Sequence, residues 1–331
     1  MNKELKTILD KDKRLNNPRI LMFANLQLIR FLELLISEKY EEQIFRCPVH
    51  LSIGQEAIAV GVSMNLSLTD KVISTHRSHA HYIAKGGDLS SMLSEIMGSP
   101  KGCCKGRGGS MHILDYSVGF LASVPIVGSS LPIAVGVSLA EKQLNSNDIT
   151  VAYVGDAALE TGAFYESLNL VALKKLPILI IVEDNNYSIF SDKTSRWPSN
   201  RDTQRVVEGF GINYLIGSGD DAERVYEQVA NIISDVRRNQ PVLIHLETFR
   251  RYEHCGPKID DNLGYRTKNE IESFSQRDPV EILRKKLISE NLVTQDVLNI
   301  LENQIKDYVE SIYLKTRMQN KDYFKQFGFD T

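Results

Sequence analysis

Neither sign of charge is in excess in this chain: 39 Lys+Arg stand against 42 Asp+Glu in 331 residues, a formal net charge of −3. Binding nucleic acid through its phosphates needs a basic surface, so no nucleic-acid partner is expected. Long apolar runs are also missing. The purely apolar stretch around Ile178–Val182 falls far short of the roughly 20 residues that span a bilayer, so no membrane segment is expected. The start, Met1-Asn2-Lys3-Glu4-Leu5, has no apolar signal core, and a cytoplasmic protein is expected. Cysteine is scarce. Cys47, Cys103, Cys104 and Cys255 make no CxxC metal spacing and no framework for a secreted fold, so reduced thiols are expected. Internal repeats and low-complexity tracts are absent. What remains is an ordinary globular mixture, 42% apolar and 24% charged, long enough for a buried core.

A polar lead-in over residues 1–19 ends in Asn16-Asn17-Pro18. From Ile20 to about Glu38, Leu21, Ala24, Leu28, Phe31 and Leu35 recur at the spacing of an amphipathic helix. Lys71–Thr75 reads as a strand. Ile149–Val154 and Ile178–Val182 are continuous apolar runs, as expected of parallel strands buried on both faces. A helix over Thr161–Lys175, stopped by Pro177, lies between them; a further helix over roughly Ala222–Arg238 precedes a strand at Pro241–Thr248. This alternation predicts an α/β fold, a parallel sheet flanked by helices. The organisation read from it is an N-terminal helical lead-in (1–45), an α/β domain (46–275) and a C-terminal helical extension (276–331).

Two polar clusters follow predicted strands: Gly155-Asp156, and Glu183-Asp184-Asn185-Asn186-Tyr187. One helical crossover separates them, so adjacent strands can bring Asp156 and Asn185 to the same sheet edge, where such folds bind ligands. A carboxylate, an amide oxygen and the Tyr187 main-chain carbonyl make a hard-oxygen set suited to magnesium and a diphosphate. The helix opening near Thr161 adds a positive dipole end. The same residues equally suit a helix cap and a turn.

Gly155-Asp156-Ala157, closed by Asn185, resembles the thiamine-diphosphate signature, which begins Gly-Asp-Gly and ends in Asn. Further blocks occur in family order: His50 with Gly54-Gln55-Glu56-Ala57, His76-Arg77-Ser78-His79, Gly108-Gly109-Ser110-Met111-His112, Ile126-Val127-Gly128, Thr248-Phe249-Arg250 and Gly264-Tyr265-Arg266-Thr267. Over about residues 20–285 the chain resembles the alpha subunit of the thiamine-dependent decarboxylating component of the 2-oxo acid dehydrogenases, of pyruvate, branched-chain or acetoin type. The resemblance implies the diphosphate-binding half of a thiamine-diphosphate fold. It implies Asp156, Asn185 and the Tyr187 carbonyl as Mg2+ ligands and Arg77 on the diphosphate. Val127, Gly155, Ala157 and Ala158 would lie against the cofactor, with Ile189 as the apolar wedge that bends it. His79 and His254 match active-site histidines that handle protons. His81 and His112 are weaker candidates, His112 as an organiser of the glycine-rich loop; Glu56 reads as a buried structural acid and Cys255 as a passenger thiol.

The sequence departs from the family pattern at Ala157, tolerable only if its φ is negative. His76 stands where tyrosine is common, Pro125 where glycine is common, and Glu253-His254-Cys255-Gly256-Pro257 in place of a Gly-His-Ser loop. These leave the substrate open. The glutamate that activates thiamine belongs, in this family, to a beta subunit, so the resemblance implies a site completed by that partner in an α2β2 assembly, and an acceptor such as a lipoyl acyltransferase. Alternatives are a split transketolase-like subunit moving two-carbon units and a non-catalytic scaffold of the same fold. A nucleotide-triphosphate binder built on Gly102–Gly109 is disfavoured because no Gly-Lys-Ser/Thr follows.

Overall fold

A computed structural model describes residues 17–326; Met1–Leu5 and most of the polar lead-in lie outside the described residues. Helix α1 (Pro18–Lys39) begins where Asn17 accepts a hydrogen bond from the Arg19 N–H at 2.8 Å and Pro18 fills the first turn. Its buried residues are not one stripe: Met22, Phe23, Leu26, Leu28, Ile29 and Leu32 are all enclosed. The spacing expected of an amphipathic helix thus gives way to a core helix wrapped by protein. By length and composition α1 could cross a membrane. Its polar residues nevertheless have partners inside the fold, Arg30 with Glu56 at 2.5 Å and Glu33 with the Ser52 N–H at 3.0 Å.

The chain continues through α2 (Glu56–Ser63), β1 (Lys71–Ser74), α3 (His79–Lys85), α4 (Leu89–Ile96), β2 (Phe120–Ser123), α5 (Ser130–Gln143) and β3 (Thr150–Gly155). Next come α6 (Gly162–Lys174), β4 (Ile178–Asp184), a ribbon of β5 (Tyr187–Ser188) and β6 (Ser191–Asp192), α7 (Lys193–Arg196), α8 (Thr203–Gly209), β7 (Asn213–Ser218), α9 (Ala222–Arg237) and β8 (Val242–Glu247). Four helices end it: α10 (Lys268–Arg277), α11 (Pro279–Ser289), α12 (Gln295–Gln319) and α13 (Lys321–Lys325).

Six strands form one parallel sheet in the order β2-β1-β3-β4-β8-β7. Alternate residues of the central strands feed two cores. Val151, Tyr153, Leu179 and Ile181 point to the side of α1; Ala152, Val154, Ile178, Ile180 and Val182 point to the side of α5 and α6. Residues from Ile20 to Phe324 contribute to the first core, so lead-in helix, sheet and C-terminal helices share it.

Asp70 joins the sheet to α9. Fully buried, it accepts the N–H groups of Ser67 (2.7 Å) and Ile149 (2.9 Å) and both Nη atoms of Arg237. Burial pushes its pKa up, but these donors outweigh it and hold the carboxyl below its usual range. Asp70 therefore stabilises the fold fully above about pH 4, and that stability fades as pH falls through the lowered value. Asp70→Ala is expected to cost about 3 kcal/mol at neutral pH, read from the urea midpoint, and progressively less in acid. A cost unchanged by acid would contradict this.

Candidate active site

From β1 the chain steps outward to β2 and returns as β3 on the other side, which opens a crevice at the carboxyl ends of β1 and β3. Loops following β1, β2, β3, β4 and β8 surround a cleft partly open to solvent. The structure brings Arg77, Val127, Gly155, Asp156, Ala157, Ala158, Asn185, Tyr187, Ile189 and His254 to its wall. Register explains the pairing at its centre. Gly155 lies opposite Glu183, so Asp156 and Asn185 leave adjacent strands side by side.

Asp156 is only 2% exposed. Burial raises its carboxyl pKa and Asp184 raises it further, against the guanidinium of Arg196, which bonds both Asp156 and Glu160. A carboxylate so disfavoured gains from a cation. Asn185 donates from Nδ2 to Gln55 Oε1 at 3.1 Å, and its Oδ1 accepts the Tyr187 N–H at 3.2 Å, which leaves one oxygen lone pair. Ala157 sits in a tight turn (Asp156–Glu160) and is not among the residues with positive φ, so its methyl group is tolerated.

Ile189 has φ +56°, an outlier for a β-branched residue, at the tip of the β5–β6 ribbon. Arg250 Nη2 holds its carbonyl at 3.1 Å. Arg250 is 1% exposed, and its Nε and Nη1 are buried donors without a partner. Arg77 donates to the carbonyls of Leu51 (2.5 Å) and His254 (3.1 Å), and burial pushes its pKa down to about 9. Two buried guanidiniums, one with orphaned donors, are suited to an anion.

The loop carrying His254 is bound to the loop before α2. The Gly256 N–H reaches the Val49 carbonyl at 2.8 Å and the Arg251 N–H reaches Ile53 at 3.0 Å. Gly54 makes that approach possible: at φ +98° a Cβ there would lie 2.3 Å from the Phe249 carbonyl oxygen. This brings His254 to His50 and His76, with ring centroids 4.7–5.2 Å apart. Burial, then the Arg77 charge, lowers their pKa values to about 2 (His50), 3 (His76) and 3 (His254). His50 and His76 were given no role by the sequence; the signal was available, since both open motif blocks at loop positions.

His79, which the resemblance implies as an active-site histidine, is placed away from the other site residues. It is fully buried and absent from the cleft wall, its ring clamped between Glu33 (3.2 Å) and Ser110 (2.8 Å). The physical reason is that α3 starts at His79 and turns it into the core. His81 is likewise held by Ser74 and Glu183. His112 reaches the Gly108 carbonyl at 3.1 Å, and Glu56 is a buried acid between Arg30 and the Gly54 N–H. The glycine-rich loop does not present its N–H groups to a ligand. Those of Cys104, Gly106, Gly108 and Gly109 all bond the buried carboxylate of Glu95 at 2.6–3.1 Å. All four cysteines are free thiols.

Residues 24–322 match the family described as the dehydrogenase E1 component. Pyruvate dehydrogenase E1 component subunit alpha of Rickettsia bellii is 34% identical over 303 residues, 91% of this chain and 92% of the relative. The Rickettsia felis subunit is 36% identical, covering 79% of each chain. The mitochondrial alpha-1 subunit of Oryza sativa is 31% identical, covering 89% of this chain and 75% of its own length.

Proposed function

The chain belongs to the dehydrogenase E1 component family, as an alpha subunit of the thiamine-diphosphate-dependent 2-oxo acid dehydrogenase type, and from that premise we propose how its cleft works. Asp156, Asn185 and the Tyr187 carbonyl would hold Mg2+, and Arg77 would receive the diphosphate. Val127, Gly155, Ala157 and Ala158 lie along the cofactor. The bound cofactor supplies an electron sink for the pair left when a 2-oxo acid loses carbon dioxide. His254, beside His50 in the cleft wall, offers a neutral imidazole that hydrogen-bonds the substrate and stabilises its developing charge. His79 acts only as a positioning residue, through Ser110 on the loop under the cleft.

The observation that carries this reading is the meeting of an acid-and-amide pair with the buried guanidinium of Arg77 in one cleft at the sheet's switch point. A beta subunit completes the site in an α2β2 assembly. In support, Ile126 and Val127 stand 68% and 52% exposed in the cleft wall, an apolar mouth suited to burial against a partner. The acceptor this reading calls for is the lipoyl arm of an acyltransferase, and the compartment is the cytoplasm. Co-expression with a beta-type chain and assay of a panel of 2-oxo acids tests it. Carbon dioxide release should require both chains, thiamine diphosphate and Mg2+; release by the chain alone, or none from any 2-oxo acid, would overturn it.

The strained Ile189 gives a separable prediction. Ile189→Gly removes the αL penalty, about 1 kcal/mol, so the apo chain should be slightly more stable. It also deletes the wedge, so turnover should fall at least about 10-fold while cofactor affinity changes less. Unchanged turnover would remove Ile189 from the mechanism.

A further inference from the structure

Four histidines, His79, His81, His112 and His245, have hydrogen-bond partners for their rings. The other three differ. Among the described residues nothing hydrogen-bonds the rings of His50, His76 or His254, and His50 Nδ1 is a buried nitrogen without a partner. One ring nitrogen from each lies within 4.8 Å of the others, at the end of the cleft. They come from three separate loops, so no local turn or helix spacing accounts for their meeting. Three neutral imidazoles with free nitrogens and an open side toward a cavity have the donor set of a metal centre that keeps one position for an outside ligand.

We propose that His50, His76 and His254 form a binding site for a borderline transition-metal dication such as Zn2+, with its fourth position facing the cleft. Metal–nitrogen bonds of about 2.0–2.1 Å bring tetrahedral ligands to about 3.3 Å, so side-chain rotation must draw the rings together. Arg77 and Arg250 oppose any cation here, which makes the site selective. A hard ion such as Mg2+, held mainly by charge, gains nothing from imidazoles in a positive field, whereas Zn2+ or Co2+ gains from nitrogen donation. The ion would stand in the same cleft, beside Arg77, so Zn2+ competes with the ligands the cleft binds. That competition rests on the cleft's proposed function; metal binding itself does not.

The test is titration of the full chain with Co2+, followed by the strong visible absorption of four-coordinate cobalt. One equivalent should bind, be displaced by stoichiometric Zn2+ and resist excess Mg2+. His76→Phe, with folding checked by circular dichroism, should weaken binding at least about 100-fold, and His76→Gln should serve if the first variant misfolds. Asp156→Ala and Cys104→Ser should keep the band. No band in the wild-type chain, an unchanged band in both His76 variants, or a band lost in Cys104→Ser would overturn the proposal. A failed decarboxylation assay with the band intact would reject the proposed function and leave this site standing.

Discussion

Asp156→Ala should abolish Mg2+-dependent binding of thiamine diphosphate and with it turnover. Outer-shell partners of metal sites cost about 10–100-fold when removed, so loss of a direct carboxylate ligand should exceed about 100-fold. The side chain is enclosed, and the other two ligands proposed for the metal, the oxygens of Asn185 and Tyr187, are neutral. The nearby acids are already engaged: Asp184 with His245 and Lys193, Glu183 with His81, and Glu160 with Arg196. At a cofactor concentration about 100 times Kd, the wild-type assembly should gain about 2.7 kcal/mol of stability, visible as a rise in melting temperature. The variant should show no rise while folding normally. An equal rise in both would remove Asp156 from the site.

Glu95→Ala should be the most damaging single change away from the cleft. Its carboxylate is the acceptor for four N–H groups of the loop around Gly102–Gly109. Each buried donor left unpaired costs about 1–3 kcal/mol, and water entering the gap recovers part of it. A loss of about 4 kcal/mol or more is expected, with proteolysis appearing within residues 98–112. Glu95→Gln keeps the shape but has one acceptor oxygen, so it should lose about half as much. A loss under about 1 kcal/mol for Glu95→Ala would mean that the loop is organised by something else.

The parts of the fold that were legible in the sequence are those buried on both sides. β3, β4 and β8 read as apolar runs because helices cover both faces of the central sheet. The edges did not read. In β7 no residue is fully buried, and β2 is four residues long, so neither leaves a periodic pattern. Asp156 and Asn185 were legible because strand order needs only one crossover between them. The histidine cluster was not, because it depends on the approach of two distant loops at Gly54 and Phe249. The position of His79 was not legible for a local reason: adjacency to Arg77 in a motif does not reveal that a helix starts there and turns the ring inward. The glycine-rich loop carried an ambiguity of the same kind, since its N–H groups suit a phosphate or a carboxylate, and Glu95, nearby in sequence, supplies the latter.

One measurement bears most directly on the whole account: a structure of the chain assembled with its beta-type partner, thiamine diphosphate and Mn2+, with the ion located by anomalous scattering. The expected peak lies about 2.0–2.2 Å from an Asp156 carboxylate oxygen, the Asn185 amide oxygen and the Tyr187 carbonyl, with a diphosphate beside Arg77. A cofactor bound in that cleft whose ion avoids Asp156, or an assembly that binds the cofactor elsewhere, would contradict it.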